Sequence, residues 1–554
     1  MISQTTHKYF TFLVAILGSL TTLIITPSYS SEPVDLPKLL VMVPLCLAIF
    51  FIAFIDTKKL KTRNFVVPKI LILLFIIHSI LVLIFAKSEF NQQFFGATGR
   101  NTGFLTYISL SLMFFSLINF VEERMLKGVA LSLLLVGTAS SFYGFIQITH
   151  NDPVKWNNPY TPMISFLGNP DFASSFIAFS SAIAVSLLFS KKLAKKFKVG
   201  LLCILVVSMI SIEQSHAQQG ILVIGFVIAG AFLIYLYKST TFPKAIANIF
   251  SILAGVFSLI AVLGIFKIGP LSTLYKLSVR QRGFYWHAAI EMIKKYPIFG
   301  TGFDSYGDYY FQNRSANAAF HSLTTQSNSA HNVFLDIGSS GGLPLLIIYL
   351  ILTIYVGYRG VKLLKSMVGF NPYLVGLLLA WVGYQAQSVV SINNLGLAVW
   401  GWILGGLIVG ISSKVEVVTT LKRSPYKRSK ENSMSSALIA STLGLIVGLA
   451  LVLPAFQTDH EYRNALNSRD LNKVLSSVKK WPESTSRTTS TALLLMQNKL
   501  SQQGLELAQH VVSINNNSYN AWALIYNGTD PNSALHIKSL KNLRRLNPFD
   551  KTLK

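Results

Sequence analysis

The feature that most limits how this chain can fold is a run of long apolar blocks, each nearly free of charge. The approximate blocks are residues 9–26, 38–55, 66–86, 103–121, 126–148 and 171–189, then 199–212, 219–237 and 247–266. They continue as 342–358, 373–392, 395–411 and 436–456. Crossing a bilayer takes about 20 helical residues, so most of these blocks are long enough to span one. Only 13% of the 554 residues are charged and 51% are apolar, against about 25% charged in ordinary soluble proteins. A soluble fold would have to bury every block in one core. The sequence therefore predicts an all-α, polytopic membrane bundle of about 12–13 transmembrane helices.

Basic residues set the expected orientation. With a cytoplasmic N-terminus, the inside loops are 56–64 (Lys58, Lys59, Lys61, Arg63), 190–198 with five lysines, and 412–435 (Lys422, Arg423, Lys427, Arg428, Lys430). Arg124, Lys127, Lys238, Lys244, Arg359, Lys362 and Lys365 fall on the same side, whereas the short outside loops carry only Lys87, Arg100 and Lys155. This is the positive-inside asymmetry. It accounts for much of the +26 net charge through topology and anionic-lipid contact, so no nucleic-acid partner is needed to explain it. Residues 1–30 have the outline of a signal peptide, but their apolar run is long and reads better as an uncleaved first helix. Cys46 and Cys203 both fall within spans, leaving no disulfide framework outside the membrane.

Two polar regions remain, both expected outside the cytoplasm. Residues 1–456 form the expected membrane domain, whose large loop is 267–341, and 457–554 form a tail. In the loop, 284–296 reads as a helix with Tyr285, Ala289, Met292 and Tyr296 on one stripe, stopped by Pro297. A second short helix is predicted from Ala330, with Ser329 as its N-cap. In the tail, Val478, Val511 and Leu543 open similar helix-closing segments about 33 residues apart, near the spacing of tetratricopeptide helical hairpins. Such a tail either binds a protein partner or caps the membrane part. It follows a complete set of spans and carries no Arg/His set of the loop's kind, so the tail is expected to be dispensable for any chemistry of the loop.

Chemistry is scarce within the spans. Lys69 and Glu213 lie near ends and His78 is alone, which argues against ion-coupled transport. Arg280 and Arg282 stand near the predicted start of the loop helix, where free N–H groups and the dipole favour an anion. Two guanidinium forks there suit a diphosphate, and equally the headgroups of lipids. His331 beside Asn332 reads either as a general base for a hydroxyl or as an interfacial histidine bonded to backbone. Trp286 reads as a core aromatic or as a ring open to stacking. Asp304, Asp308 and Asp336 are scattered, so neither a metal nor another cofactor is expected.

The stretch SVRQRGFYWHAAIEMIKKYPIFGTGFDSYGDYYFQNR and the following SNSAHNVFLDIGSSGGLPLL resemble the shared core of O-antigen ligases, Wzy-type polymerases and O-oligosaccharyltransferases. The family pattern falls on Arg282 and Trp286, on Pro297, Gly300 and Gly302, and on His331 and Asn332. FFGATGRNTGFLTY, with Arg100, and FLGNPDF, with Asn169, resemble the family's outside segments, and the tail resembles an appendage of some members. The resemblance implies a C-type glycosyltransferase fold. It also implies transfer of a glycan from a polyprenyl-diphosphate carrier to a hydroxyl of a lipid, glycan or protein, at the outer face of a bacterial plasma membrane. Arginine would bind the diphosphate and His331 would serve the acceptor. Lipopolysaccharide ligases carry a second arginine in a Ser-Arg-Gly-like turn, where this chain has Ser215-His216-Ala217-Gln218-Gln219-Gly220. Arg280, Arg100 and Arg314 are the candidate substitutes, and Gln219 a weaker contact. An exporter of lipid-linked glycans is the non-enzymatic alternative.

Overall fold

The computed structural model describes residues 4–55, 66–156, 161, 163–274, 277–420 and 434–553, with side chains given only to 413 in the fifth stretch. The basic residues expected at 58–63 and 422–430 lie outside the described residues. Every regular element described is a helix, and the protein is a polytopic all-α bundle.

Each predicted span falls on a helix. Among the described residues, ten are long and apolar enough to cross a membrane, including Lys195–Gln214, which extends the short predicted block 199–212 at both ends. The other three are Gln4–Leu23, Phe104–Phe120 and Pro372–Ser388, of which the last two have 17 residues. Phe104–Phe120 and Pro372–Ser388 sit inside the bundle with most side chains buried. Gln4–Leu23 packs as part of the same core: Gly18 lies against the Trp400 ring, and Trp400 Nε1 donates to Thr22 Oγ1 at 2.9 Å.

Charge inside the bundle exceeds the sequence expectation. Lys38, fully buried, donates to the carbonyls of Thr22, Ile24 and Phe166, closing the end of the first helix onto a later loop. Arg359, expected in a cytoplasmic loop, is buried and bonds Ser412 and Ser413. These charges are hydrogen-bonded struts, as burial in low dielectric demands. His78 has the same role: its Nε2 lies 3.1 Å from the Ile298 carbonyl and 2.8 Å from that of Gly341.

Those two carbonyls belong to the joint that holds the loop on the bundle. The helix Leu277–Lys295 leads into the Pro297–Gly302 turn. There Thr301 and Gly302 donate to Ser339 and Ser340, and Leu343 donates back to Pro297. The backbones approach so closely that a Cβ on Gly300 would meet Ser340 at 2.4 Å, and one on Gly342 would meet the Ile298 oxygen at 2.4 Å. Gly342, at φ 74°, also kinks the helix Val333–Ser366. The predicted short helix and the next span are thus one bent element. Its N-cap is Asn332 rather than Ser329. Ser329 instead receives the His331 N–H and donates to Asp336.

The expected domain boundary at 456 falls inside an unbroken helix, Met434–Ser468, which carries the chain out of the bundle. Five shorter helices follow. Two successive hairpins begin at Thr485 and Tyr519, 34 residues apart, and they bury their own apolar core around Leu495, Trp522 and Leu543. This tail docks against the loop, so the two lie at the same end of the bundle. Phe311 meets Tyr519 with ring centroids 4.9 Å apart, and Asn515 donates to Asp308 at 3.0 Å.

Candidate active site

The helix Leu277–Lys295 begins about two turns earlier than the sequence suggests. Arg280 falls in the first described turn and Arg282 beyond it, so the anion-binding argument from the helix terminus does not extend to Arg282. Arg280 is exposed and Arg282 is half-buried. Arg282 Nε donates to the Val390 carbonyl at 2.8 Å, while its Nη2 lies 3.5 Å from Asp171 Oδ2. These contacts fix the plane of the guanidinium. Nη1 makes no hydrogen bond among the described residues.

Asp171 is held in turn from two sides. Asn169 caps the helix Pro170–Leu188 by accepting the Asp171 N–H at 2.8 Å. Gln219, in the first turn of Gln218–Lys238, donates to the Asp171 carbonyl at 2.6 Å and keeps its own buried Oε1 unpaired among the described residues. Asn169 and Gln219 thus brace the Arg282 partner. The turn that lacks an arginine supplies an amide here.

His331 precedes the Asn332 cap with φ 50°, a left-handed conformation rare outside glycine. Asp336 stabilises this segment by accepting the Ala330 N–H at 2.7 Å. The imidazole stacks on Tyr285, ring centroids 5.2 Å apart, one turn along from Arg282. Burial, then Arg282, then Arg100 push its pKa down to about 4. The histidine is consequently neutral over the ordinary range of growth pH, and the two cations near it explain part of that. Asn332 uses its side-chain oxygen as the helix cap, accepting from Leu335 at 3.1 Å. Trp286 is half-buried, with Nε1 enclosed and unpaired among the described residues.

The other two arginines are engaged by the protein itself. Arg100 is buried, with Nε 3.3 Å from Asp304, Nη2 3.9 Å from Asp336 and Nη1 donating to the Asn328 carbonyl. Asp304 also accepts from Ala97 and Thr102, which docks the 97–102 loop. Arg314 lies over the Phe311 ring and donates to Ser322, Leu323 and Asn547. Arg314 is directed toward the tail, away from His331. Asp304 and Asp336, scattered in sequence, meet on Arg100. Sequence reasoning also missed Asp171 and Tyr285, because no local pattern marks contacts made across such separations.

A bundle of apolar helices with a half-buried histidine stacked on Tyr285, one turn from Arg282, at one end defines a multi-pass membrane protein with a polar site at the mouth of the bundle. Residues 173–350 match the family model described as O-Antigen ligase, which identifies this part of the chain as an O-antigen ligase family segment with a membrane glycosyltransferase-like function in O-antigen processing. The match takes in Gln219, Arg280, Arg282, Trp286, Arg314, His331 and Asn332, and leaves Arg100, Asn169 and the tail outside. A search of curated proteins gives no match.

Proposed function

We propose that the protein transfers a glycan from a polyprenyl-diphosphate carrier to an acceptor hydroxyl at the outer face of a bacterial plasma membrane. The observation that carries this reading is the His331 imidazole stacked on Tyr285, one turn from the half-open Arg282, within the matched segment. The acceptor oxygen attacks the anomeric carbon and forms the new glycosidic bond. The bond from that carbon to the diphosphate oxygen breaks, and the hydroxyl proton passes to His331. Charge then develops on the leaving diphosphate, where a preoriented guanidinium contributes most.

Arg282 is the donor-phosphate ligand in this scheme, since it alone among the four candidate arginines is both fixed in plane and partly open. Arg280, exposed on the opposite side of the same helix, adds charge for the carrier or lipid headgroups. Arg100 and Arg314 act as struts. Trp286 borders the site as a stacking surface.

Purified protein in detergent, given a polyprenyl-diphosphate oligosaccharide and a hydroxyl acceptor, should form glycosylated acceptor and free carrier diphosphate. Mass spectrometry of both products checks this. Carrier that stays fully glycosylated with every acceptor class, at a protein that remains folded, would falsify the reading. An exporter needs a sealed vesicle and would show no product in detergent.

A further inference from the structure

A cavity of about 320 Å³ lies where the tail meets the bundle, beside the site just described and separate from it. One wall is the 89–101 segment, the second is the loop at 304–308 and 326–328, and the third is the tail at 482–490 with Ser518 and Asn520. The tail closes on the first wall through Thr98 and Ser484, whose hydroxyls are 2.8 Å apart, and through the Phe95 and Trp481 rings.

Six carboxylates line the cavity, from Glu32, Glu89, Asp304, Asp308, Asp459 and Glu483, against the single lining arginine Arg487. That excess repels an anionic ligand. Between the acids lie groups that both donate and accept, among them Asn91, Gln326, Ser484 and Ser490. Asn101 in the wall is 5% exposed and keeps a buried Oδ1 with no partner among the described residues. Phe95 adds an apolar face. Carboxylates, hydroxyls, amides and a ring together suit a pyranose, whose hydroxyls donate to acids and accept from amides while its C–H face covers an aromatic. A basic peptide would use the acids but leave the amides and hydroxyls poorly matched. Glu32 already accepts from the Gly99 N–H, and Asp308 from Gln92 and Asn515, yet burial pushes Glu32 up to about 8 and Asp308 up to about 6.

We propose that this cavity binds an uncharged or amino-bearing sugar of the acceptor glycan, with the tail supplying one wall and so selecting the acceptor. This rests on the transferase reading only for the word acceptor; the sugar site itself stands on the cavity. Asn328 and Asp304, which line it, also hold Arg100, linking the cavity to the neighbourhood of His331.

The test is calorimetric titration of the full chain in detergent with no donor present, so that a lack of transfer activity leaves the result readable. The probes are glucosamine trimer, N-acetylglucosamine trimer, galacturonate trimer and trilysine. We expect both amino-sugar trimers to saturate the protein and the galacturonate trimer to bind at least tenfold more weakly. Ser490→Trp fills the cavity and should weaken sugar binding at least tenfold at an unchanged melting temperature. Should that variant fail to fold, Glu483→Gln should reduce the preference for the charged glucosamine trimer over its N-acetyl form. Equal binding of galacturonate, tighter binding of trilysine than of either sugar, no sugar binding, or sugar binding indifferent to the folded variants overturns the proposal.

Discussion

Arg282 differs from Arg100 and Arg314 in what its guanidinium touches, and that difference ranks the arginines for mutation. Arg100 sits among two carboxylates and a carbonyl, and Arg314 among two carbonyls, an amide and a ring. Arg282 leans on one carbonyl and a half-exposed carboxylate, leaving Nη1 for an incoming phosphate. Arg282→Ala should therefore lower kcat/KM by about ten- to a hundredfold, the equivalent of about 1.5–3 kcal/mol for a lost charge-assisted hydrogen bond. Arg282→Lys should recover little, because an ammonium cannot span two phosphate oxygens while also holding Val390. Arg280→Ala should cost less than either, and comparable losses at 280 and 282 would remove the distinction. His331→Ala should reduce turnover per folded molecule by about 10²–10⁴-fold, the usual range for losing a general base. The pH profile gives an independent check. Because the His331 pKa is pushed down to about 4, the acid limb of activity should fall near pH 4 rather than near the ordinary 6.5. A limb at 6.5 would mean that the histidine is solvated or that another group titrates.

At the scale of elements, the joint between the Pro297 turn and the Gly342 kink sets where His331 stands. At Gly300 and Gly342 backbone approaches backbone, so neither glycine tolerates a side chain. Gly342→Ala meets two obstacles, a φ of 74° and an Ile298 oxygen 2.4 Å from the new Cβ. Left-handed strain alone costs about 1–3 kcal/mol, and moving the turn releases His78 from its two carbonyl partners. The variant should have a lower melting temperature and reduced turnover, measurable on the same detergent preparation; an unchanged melting temperature would show that the turn moves freely. The glycines and the proline were legible as a turn in the sequence, and the apolar blocks as spans, because hydropathy and breaker residues act locally. The partner of the turn was not legible, since a backbone–backbone contact some 40 residues away leaves no side-chain signal. The same limit misplaced the start of the Arg282 helix: residues 277–283 carry few apolar positions, and their helicity follows from continuity with the packed turns around Ala288 and Met292. It also hid the N-cap at Asn332, where Ser329 looked equally suited but is occupied with Asp336.

Across the whole molecule, the tail is fastened at both of its ends. Near the membrane, Arg463 donates to the Ser30 carbonyl, and Asp459 accepts from Ser31, so a cut at the expected boundary of 456 would strip contacts from the loop that follows the first helix. Further out, Phe311 packs on Tyr519 and Arg314 reaches Asn547. The helix ends of the tail near Val478, Val511 and Leu543 were legible in the sequence, but its docking was not, because that joins side chains from distant segments with no periodic pattern. Truncation after Ser468 keeps the first set of contacts and removes the second. It should leave an inserted bundle whose loop is cut faster by protease and whose transfer activity is at least tenfold lower, contrary to the sequence expectation that bond formation does not need the tail. Full activity in that truncation would restore the original expectation. Asp308 offers a milder probe of the same docking. It accepts from Asn515 of the tail and from Gln92 of the first wall, yet burial outweighs those bonds and pushes its pKa from 3.8 up to about 6. Between those two values the folded state holds a proton that the unfolded chain has released, so the contribution of Asp308 to stability falls as pH rises through that window. Above pH 6 the ionised carboxylate remains buried against the tail. Asp308→Asn keeps an acceptor for both amides and removes the charge. Its melting temperature should equal or exceed that of the parent chain at pH 8, and the difference should shrink as pH is lowered toward 4. A variant that melts lower at pH 8, by the same margin at every pH, would show that the carboxylate is held by its hydrogen bonds rather than opposed by burial.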